Sequence, residues 1–422
     1  MAVSEYTVTE LVQDAGREAR AAAPSLASAS EAALTHALVC MSARLGEQSG
    51  ALLAANAADV AALDPNFPEA MRDRLRLDAA RIAAMARQID ELAAVPFAPV
   101  VVKRRELGNG LLVEERRRPV GVIGANYEAR PNVTIDVASQ LIKSRNVGVL
   151  RTGGAALRSA VALLELVIAP ALADAGLDVR AVQLVRSADR AGATALVSEP
   201  GLIPLVIIRG SGPTTRELAL RAATCGVRTL AHADGGGVLF ADSAADVEMF
   251  RELLRASLDR LGVCNRLNLL LIHSDRWDEL VDVAREELSI LGIAPVLPPH
   301  AHPRGHEWAL DEGHEAHVTI DRADTPADAA AIANTETSGL AAAIVTGDPE
   351  HARQFLEAYV GTGAFWNAPT RLLDGFKLLG APETGINVDH VPGPRGPVTF
   401  QDLYLRQYVV LPADGAAGIA GA

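Results

Sequence analysis

Apolar side chains recur at three- and four-residue intervals through Thr7–Ala23, Ser30–Arg44 and Glu47–Ala62. That period predicts amphipathic helices, with Ser and Asp residues near their starts as caps. Met71–Leu92 repeats the pattern and predicts one more helix before Pro96 and Pro99 interrupt. From Val100 the period shortens to two. Val100–Leu107 and Leu111–Arg117 alternate around Gly108-Asn109-Gly110, and Asn-Gly between two β-rich runs signals a hairpin.

An alternation of short apolar runs and helical segments follows. Val120–Gly124, Val147–Arg151, Val182–Val185, Leu205–Ile208 and Arg228–Ala231 read as strands, with helices at Val133–Ser144 and Ala156–Ala175. After Gly235-Gly236-Gly237 a second α/β unit begins. It holds a helix at Ala245–Leu261, a strand at Asn268–His273, a helix at Trp277–Leu291 and a strand at His317–Ile320. Ala327–Asn334 then reads as helix, and Ala341–Val345 and Leu403–Leu411 as strands. Strands alternating with helices at this spacing imply parallel sheets covered on both faces, an α/β fold.

Composition narrows the functional classes. The chain of 422 residues is 49% hydrophobic and 22% charged, enough apolar material for a sizeable core and for two or three domains. A formal net charge of −13 argues against a nucleic-acid partner, because a duplex-binding face needs dense Lys and Arg. Cys40, Cys225 and Cys264 show no paired spacing, which fits a reducing compartment with neither disulfides nor a Cys-based zinc site. The N-terminus lacks a signal pattern, and no run approaches the ~18 uninterrupted apolar residues of a membrane span. The expectation is a cytoplasmic protein without a membrane partner. Five histidines lie in His300-Ala301-His302, His306, His314 and His317 without acids or Cys at ligand spacing, so the segment Pro298–His317 reads as a hydrated polar loop and not a metal site.

The sharpest local feature is Leu261-Gly262-Val263-Cys264-Asn265-Arg266, a short turn between a helix and a strand. Such turns project a small nucleophile into a cleft, whereas a lone Cys is otherwise a buried small hydrophobe.

A longer set of motifs decides between these readings. Tyr127-Glu128-Ala129-Arg130-Pro131-Asn132-Val133, Gly262-Val263-Cys264-Asn265, Asn367-Ala368-Pro369-Thr370-Arg371 with Asp374-Gly375, and Glu383-Thr384-Gly385-Ile386 occur in this order. Together they resemble the gamma-glutamyl phosphate reductases, or glutamate-5-semialdehyde dehydrogenases, of the aldehyde dehydrogenase superfamily, over nearly the whole chain. The resemblance implies two Rossmann-like α/β domains and a β-hairpin oligomerisation arm. Residues 1–99 and 119–235 would bind cofactor, 236–390 would carry Cys264, 100–118 and 391–412 would form the arm, and 413–422 a mobile tail. It implies a homo-oligomer and an NADPH-dependent reduction, with NADH as the alternative, of an acyl phosphate that an amino-acid kinase would supply.

In that chemistry Cys264 attacks the acyl carbonyl, phosphate leaves, and the thioester is reduced to an aldehyde. Asn132 is the expected oxyanion donor, with Arg130, Asn265, Glu128 and Arg371 at the substrate. For Arg130 an ion pair with Glu128 or Asp136 is the competing structural reading. Arg151, Gly153, Gly154, Gly210, Ser211 and Glu383 are expected at the cofactor, Gly permitting close backbone approach. The stretch Ala231-His232-Ala233-Asp234-Gly235-Gly236 has no Glu to activate water, which favours phosphate-linked chemistry over hydrolysis, although Asp234 could substitute.

Several family positions differ: Arg151-Thr152-Gly153-Gly154-Ala155 stands for R-G-G-[KS]-E, Asp234-Gly235-Gly236-Gly237 for D-G-[IV]-C, Thr337-Ser338-Gly339 for a Y-G-S segment, and Pro392-Gly393-Pro394-Arg395-Gly396-Pro397 for H-A-R-G-P. They suggest a divergent member that reduces gamma-glutamyl phosphate, in a step of the proline-biosynthesis type, or a related acyl phosphate. An aldehyde-oxidising or coenzyme A-acylating enzyme and a non-catalytic scaffold remain the alternatives.

Overall fold

The computed structural model of the chain describes residues 7–67, 69–210, 212–232, 235–308, 311, 313–388 and 396–413. Ser211, Asp234 and the expected tail from 414 onward lie outside these residues, as do 391–395 of the expected arm. Two compact units separate, built from the described parts of Met1–Arg209, Leu218–Leu230 and Thr399–Ala422, and of Gly210–Glu217 and Ala231–Val398.

The first unit opens with helices Val8–Ala27, Glu31–Glu47, Ser49–Ala61, Glu69–Leu75 and Ala79–Ala94. Thr7 and Glu10 form a capping box on the first, and Ser30 caps the second. The single helix expected over Met71–Leu92 is two. Asp78 is extended and accepts from Arg81 N, starting a new helix, while Asn56 fills the break by donating to Leu75 O and accepting from Leu77 N. Capping at Asp78 wins over an unbroken apolar period.

The hairpin forms β1 (Val101–Glu106) and β2 (Leu111–Pro119), with Gly108 and Gly110 at φ 76° and 75°. Five further strands make one sheet: β3 (Val122–Tyr127), β4 (Val147–Thr152), β5 (Val182–Leu184), β6 (Leu205–Arg209) and β7 (Arg228–His232), ordered β5-β4-β3-β6-β7. β3 pairs in parallel with both β4 and β6, so the strand order reverses between β3 and β6.

The long helix after β4 is interrupted by a π-helical turn at Leu164–Ile168 ahead of Pro170, which has no N–H to donate. Gly154–Asp174 is long and apolar enough to cross a membrane by length and composition, although Arg158, Ser159 and Glu165 interrupt its apolar run. Half of it is buried in the fold, and Leu163, Val167, Ile168 and Leu172 have no exposed surface, which makes it a core helix.

The second unit contributes β8 (Gly237–Ala241), β9 (Leu267–His273), β10 (Ala294–Val296), β11 (His317–Ala323), β12 (Ala341–Val345) and β13 (Gly363–Trp366), a parallel sheet ordered β10-β11-β9-β8-β12-β13. A small antiparallel pair, β14 (Gly385–Asn387) and β15 (Gly396–Val398), completes it. Leu239, Phe250, Leu254, Leu270, Ile320 and Ala343 are among the side chains that close the core on one sheet face. The helix expected over Ala245–Leu261 is shorter: Asp246 caps Val247–Ala256, and Ser257 ends it. That leaves an irregular turn up to Leu267, where β9 begins. The last strand, β16 (Tyr404–Pro412), belongs to the first unit and pairs along all of β2, making a three-stranded sheet with Val102, Leu405, Tyr408 and Val410 exposed.

Candidate active site

In the second unit the early end of the helix at Ser257 leaves Cys264 in the irregular turn. Cys264 is half-buried against Leu340, Ala341, Leu373 and Ile386, and is in no disulfide. Gly236 N donates to Cys264 O at 2.6 Å, and Gly237 N to Arg266 O at 2.6 Å, so the glycine run and the Cys turn lie backbone to backbone. A Cβ on Gly235 would lie 2.6 Å from Cys264 Cα, and one on Gly237 would lie 2.7 Å from Thr370 Cβ. Gly236 takes φ 106°, a conformation L side chains avoid. The two departures, Gly236 and Gly237, therefore each have a steric reason, and so does Gly235, which keeps the family's glycine. Ser338, in another departing segment, donates to Gly235 O at 3.2 Å.

Arg266 is fully buried, with Nη1 donating to Glu315 O at 2.6 Å, and burial pushes its guanidinium below the ordinary arginine value. Asn265 and Arg371 are also buried and bonded to each other: Arg371 Nη1 donates to Asn265 Oδ1, and Asn265 Nδ2 to Leu373 O at 2.8 Å. Glu383 accepts from Gly375 N, while Asp374 caps the helix Gly375–Leu379.

The histidine segment is the irregular loop expected, but its imidazoles are packed together and not simply hydrated. His302, His306 and His317 pack on Trp308 with ring centroids 4.6, 4.7 and 5.1 Å away, and Trp308 Nε1 donates to Thr319 Oγ1 at 2.9 Å. Aromatic packing around a buried indole outweighs hydration of the imidazoles. Among the described residues no group of three His, Cys, Asp or Glu side chains is arranged to hold a metal ion.

The first unit carries the signature at the C-terminal end of β3. Tyr127 is buried with its hydroxyl 2.9 Å from Thr134 Oγ1, and Pro131 opens the helix Pro131–Lys143. Glu128 and Arg130 form an ion pair at 2.8 Å, both partly exposed. Asn132 Nδ2 donates to Asp136 Oδ2 at 3.1 Å.

Burial pushes Asp136 up to about 6, against the opposing pull of Arg209 and the Asn132 amide. A folded-state pKa above the ordinary ~3.9 means that protonation favours the folded state as pH falls from about 6 toward 4. Above pH 6 the half-buried charge costs stability. Asp136→Asn, which keeps an acceptor for Asn132, should therefore raise stability at pH 8 by about 1 kcal/mol. The gain should shrink toward zero at pH 4, as read from urea midpoints at the two pH values.

Arg151 is buried, with Nη1 donating to Asn126 Oδ1 at 3.2 Å and Nη2 to Asp189 O at 3.1 Å. Its Nε is buried and makes no hydrogen bond, and burial followed by the neighbouring Arg190 lowers its pKa. Gly153 and Gly154 permit close packing of the chain on itself: their Cβ atoms would lie 3.0 Å from Ala129 N and 2.9 Å from Ala188 Cβ. At Gly210 a Cβ would make ordinary contact with Thr215 Oγ1 at 3.5 Å. A reversal of strand order with an electropositive residue at the strand ends suits an anionic dinucleotide, which open α/β sheets bind at such a point.

Comparison with known proteins agrees with this architecture. The model of the aldehyde dehydrogenase family matches residues 5–299, and the chain belongs to that family. It is 36% identical over 408 residues to the gamma-glutamyl phosphate reductase of Gluconobacter oxydans, with 93% of each chain covered. The crystal structure of gamma-glutamyl phosphate reductase from Thermotoga maritima is similar at a TM-score of 0.88 and 26% identity, covering 95% of this chain and 98% of that one. Within the aldehyde dehydrogenases, then, the chain is a member of the gamma-glutamyl phosphate reductase family. An engineered glycolyl-CoA reductase with bound NADP+ shares the fold at a TM-score of 0.73 and 15% identity, covering 95% of this chain and 96% of that one.

Proposed function

We propose that the chain reduces gamma-glutamyl phosphate to glutamate-5-semialdehyde, a step of the proline-biosynthesis type, with Cys264 as nucleophile and NADPH as reductant. The observation that carries this reading is the half-buried Cys264 on a turn backed by the glycine run, in a chain of this family. The Cys264 thiolate attacks the acyl carbonyl, the C–O bond to phosphate breaks, and a thioester remains on the sulfur. A bound reduced nicotinamide supplies the hydride that takes the thioester to the aldehyde level. Collapse of the thiohemiacetal alkoxide then releases the aldehyde and returns the Cys264 thiolate.

Residues 1–99 and 119–235 would hold the nucleotide, with Arg151, Gly153, Gly154, Gly210, Ser211 and Glu383 at the cofactor. Residues 236–390 would hold the acyl group, with Asn132 supplying an amide to the oxyanion and Arg130 and Glu128 ordering the substrate. The sheet of β1, β2 and β16 would act as a subunit-bridging arm. The acyl phosphate must come from a kinase acting on the carboxylate, since nothing weaker than an activated acyl group drives thioester formation here.

The reaction is followed in reverse. With glutamate-5-semialdehyde, phosphate and NADP+, absorbance of the reduced cofactor should rise only when phosphate is present. Turnover indifferent to phosphate would move the reading to simple aldehyde oxidation.

A further inference from the structure

The turn that carries Cys264 is irregular. Between Ser257 and Leu267 its backbone bonds include Val263 N to Leu261 O and Arg266 N to Val263 O, and Leu267 N to Ser257 O closes it. Besides the Arg266 bond to Glu315 O, several of its side-chain restraints come from one distant segment. Thr370 N donates to Ser257 Oγ at 3.3 Å, and Thr370 Oγ1 to Asn265 O at 2.8 Å. Arg371 Nε donates to Asp259 Oδ1 at 2.6 Å and its Nη1 to Asn265 Oδ1. The segment therefore grips the turn at its entry, its middle and its exit.

The gripping segment is itself anchored. Asn367, at φ 49°, accepts from Thr346 N and donates to Thr346 O, each at 3.0 Å, which fixes the segment to the end of β12. Arg371 is only 10% exposed in its side chain, and its planar fork reaches two acceptors that a lysine ammonium could not span together. Asn265 is satisfied on both amide atoms inside the protein, by Arg371 and Leu373. Neither side chain is disposed to reach a ligand; both face the turn.

We infer that Arg371 is a positioning residue that fixes the Cys264 sulfur by bridging Asp259 and Asn265 on either side of it, and that it makes no direct bond to substrate. The inference rests on the reading of Cys264 as the nucleophile. A displacement of a reacting atom by ~1 Å costs on the order of 100-fold in rate, so a clamp of this kind acts on kcat.

The test compares Arg371→Ala, Arg371→Lys and Asp259→Asn with the wild type in two assays. One is the phosphate-dependent reduction of NADP+ by glutamate-5-semialdehyde. The other is alkylation of Cys264 by iodoacetamide, followed by mass spectrometry. Arg371→Ala should lower kcat roughly 100-fold, with both KM values within about threefold, and change the alkylation rate at least about 10-fold. Millimolar guanidinium should restore part of the lost kcat, and Arg371→Lys should stay about 10-fold down because it makes one bond of the two. Asp259→Asn, at an exposed position, gives the smaller effect of about fivefold and keeps the test open if Arg371→Ala does not fold. A large rise in KM with kcat retained, or an unchanged alkylation rate, overturns the inference. Should the wild type show no phosphate-dependent turnover, the functional reading falls, and the alkylation rates still decide the clamp.

Discussion

Cys264→Ala should abolish phosphate-dependent turnover, with kcat falling by at least about 1,000-fold, the usual scale for loss of a covalent nucleophile. The other two cysteines, Cys40 and Cys225, lie in the helices Glu31–Glu47 and Gly212–Cys225 and not in this turn. Cys264→Ser should be nearly as inactive, because a serine hydroxyl without an adjacent base is a poor nucleophile at neutral pH. The packing against Leu340 and Leu373 changes little in either variant, so the melting temperature should stay within a few degrees. Steady-state rates measured beside circular dichroism separate the two effects. A Cys264→Ala enzyme keeping more than about 1% of wild-type turnover would remove the thioester from the mechanism.

Both α/β units were legible in the period of the chain, because buried parallel strands show as short apolar runs between helical segments. Boundaries failed where a single polar group overrode the period. Asp78 starts a helix inside an unbroken apolar pattern, and Asp246 and Ser257 confine a helix that hydrophobicity alone would carry through Leu261. β8 went unseen because its four apolar residues follow three glycines, a context that reads as a turn. In Gly154–Asp174, Arg158 and Glu165 break the apolar run, as the sequence reading required, without lowering its mean hydropathy below that of a span.

The site divides in the same way. Cys264 by itself resembles any buried thiol, and only the motifs around it marked it out. Thr370 and Arg371 sit 105 and 106 positions from Asn265, so no local pattern could pair them. The histidine segment misled because sequence counts imidazoles and does not reveal that Trp308 gathers them into a packed cluster. The departures at Gly236 and Gly237 became intelligible through the positive φ of Gly236 and the contact of Gly237 with Thr370, while Gly235, which keeps the family's glycine, faces Cys264.

That contact yields the other large expected effect. Gly235→Ala should lower kcat by roughly 100-fold or more while leaving a folded protein. The added methyl would lie 2.6 Å from both Cys264 Cα and its carbonyl oxygen and 2.9 Å from its Cβ. Two of these three atoms are backbone, so no rotamer change relieves the overlap and the Cys turn itself must move. Thr370, Arg371 and the bond from Gly236 N to Cys264 O hold that turn from other sides. The strain is therefore shared between a shifted sulfur and a weakened clamp, at a stability cost of about 1–3 kcal/mol, typical of overpacking. Gly50→Ala is the control: it lies in the helix Ser49–Ala61 with nothing within 4 Å of the new Cβ, and should leave turnover unchanged. If Gly235→Ala turns over like Gly50→Ala, the turn yields freely and the position of the sulfur is not set by its contact with the glycine run.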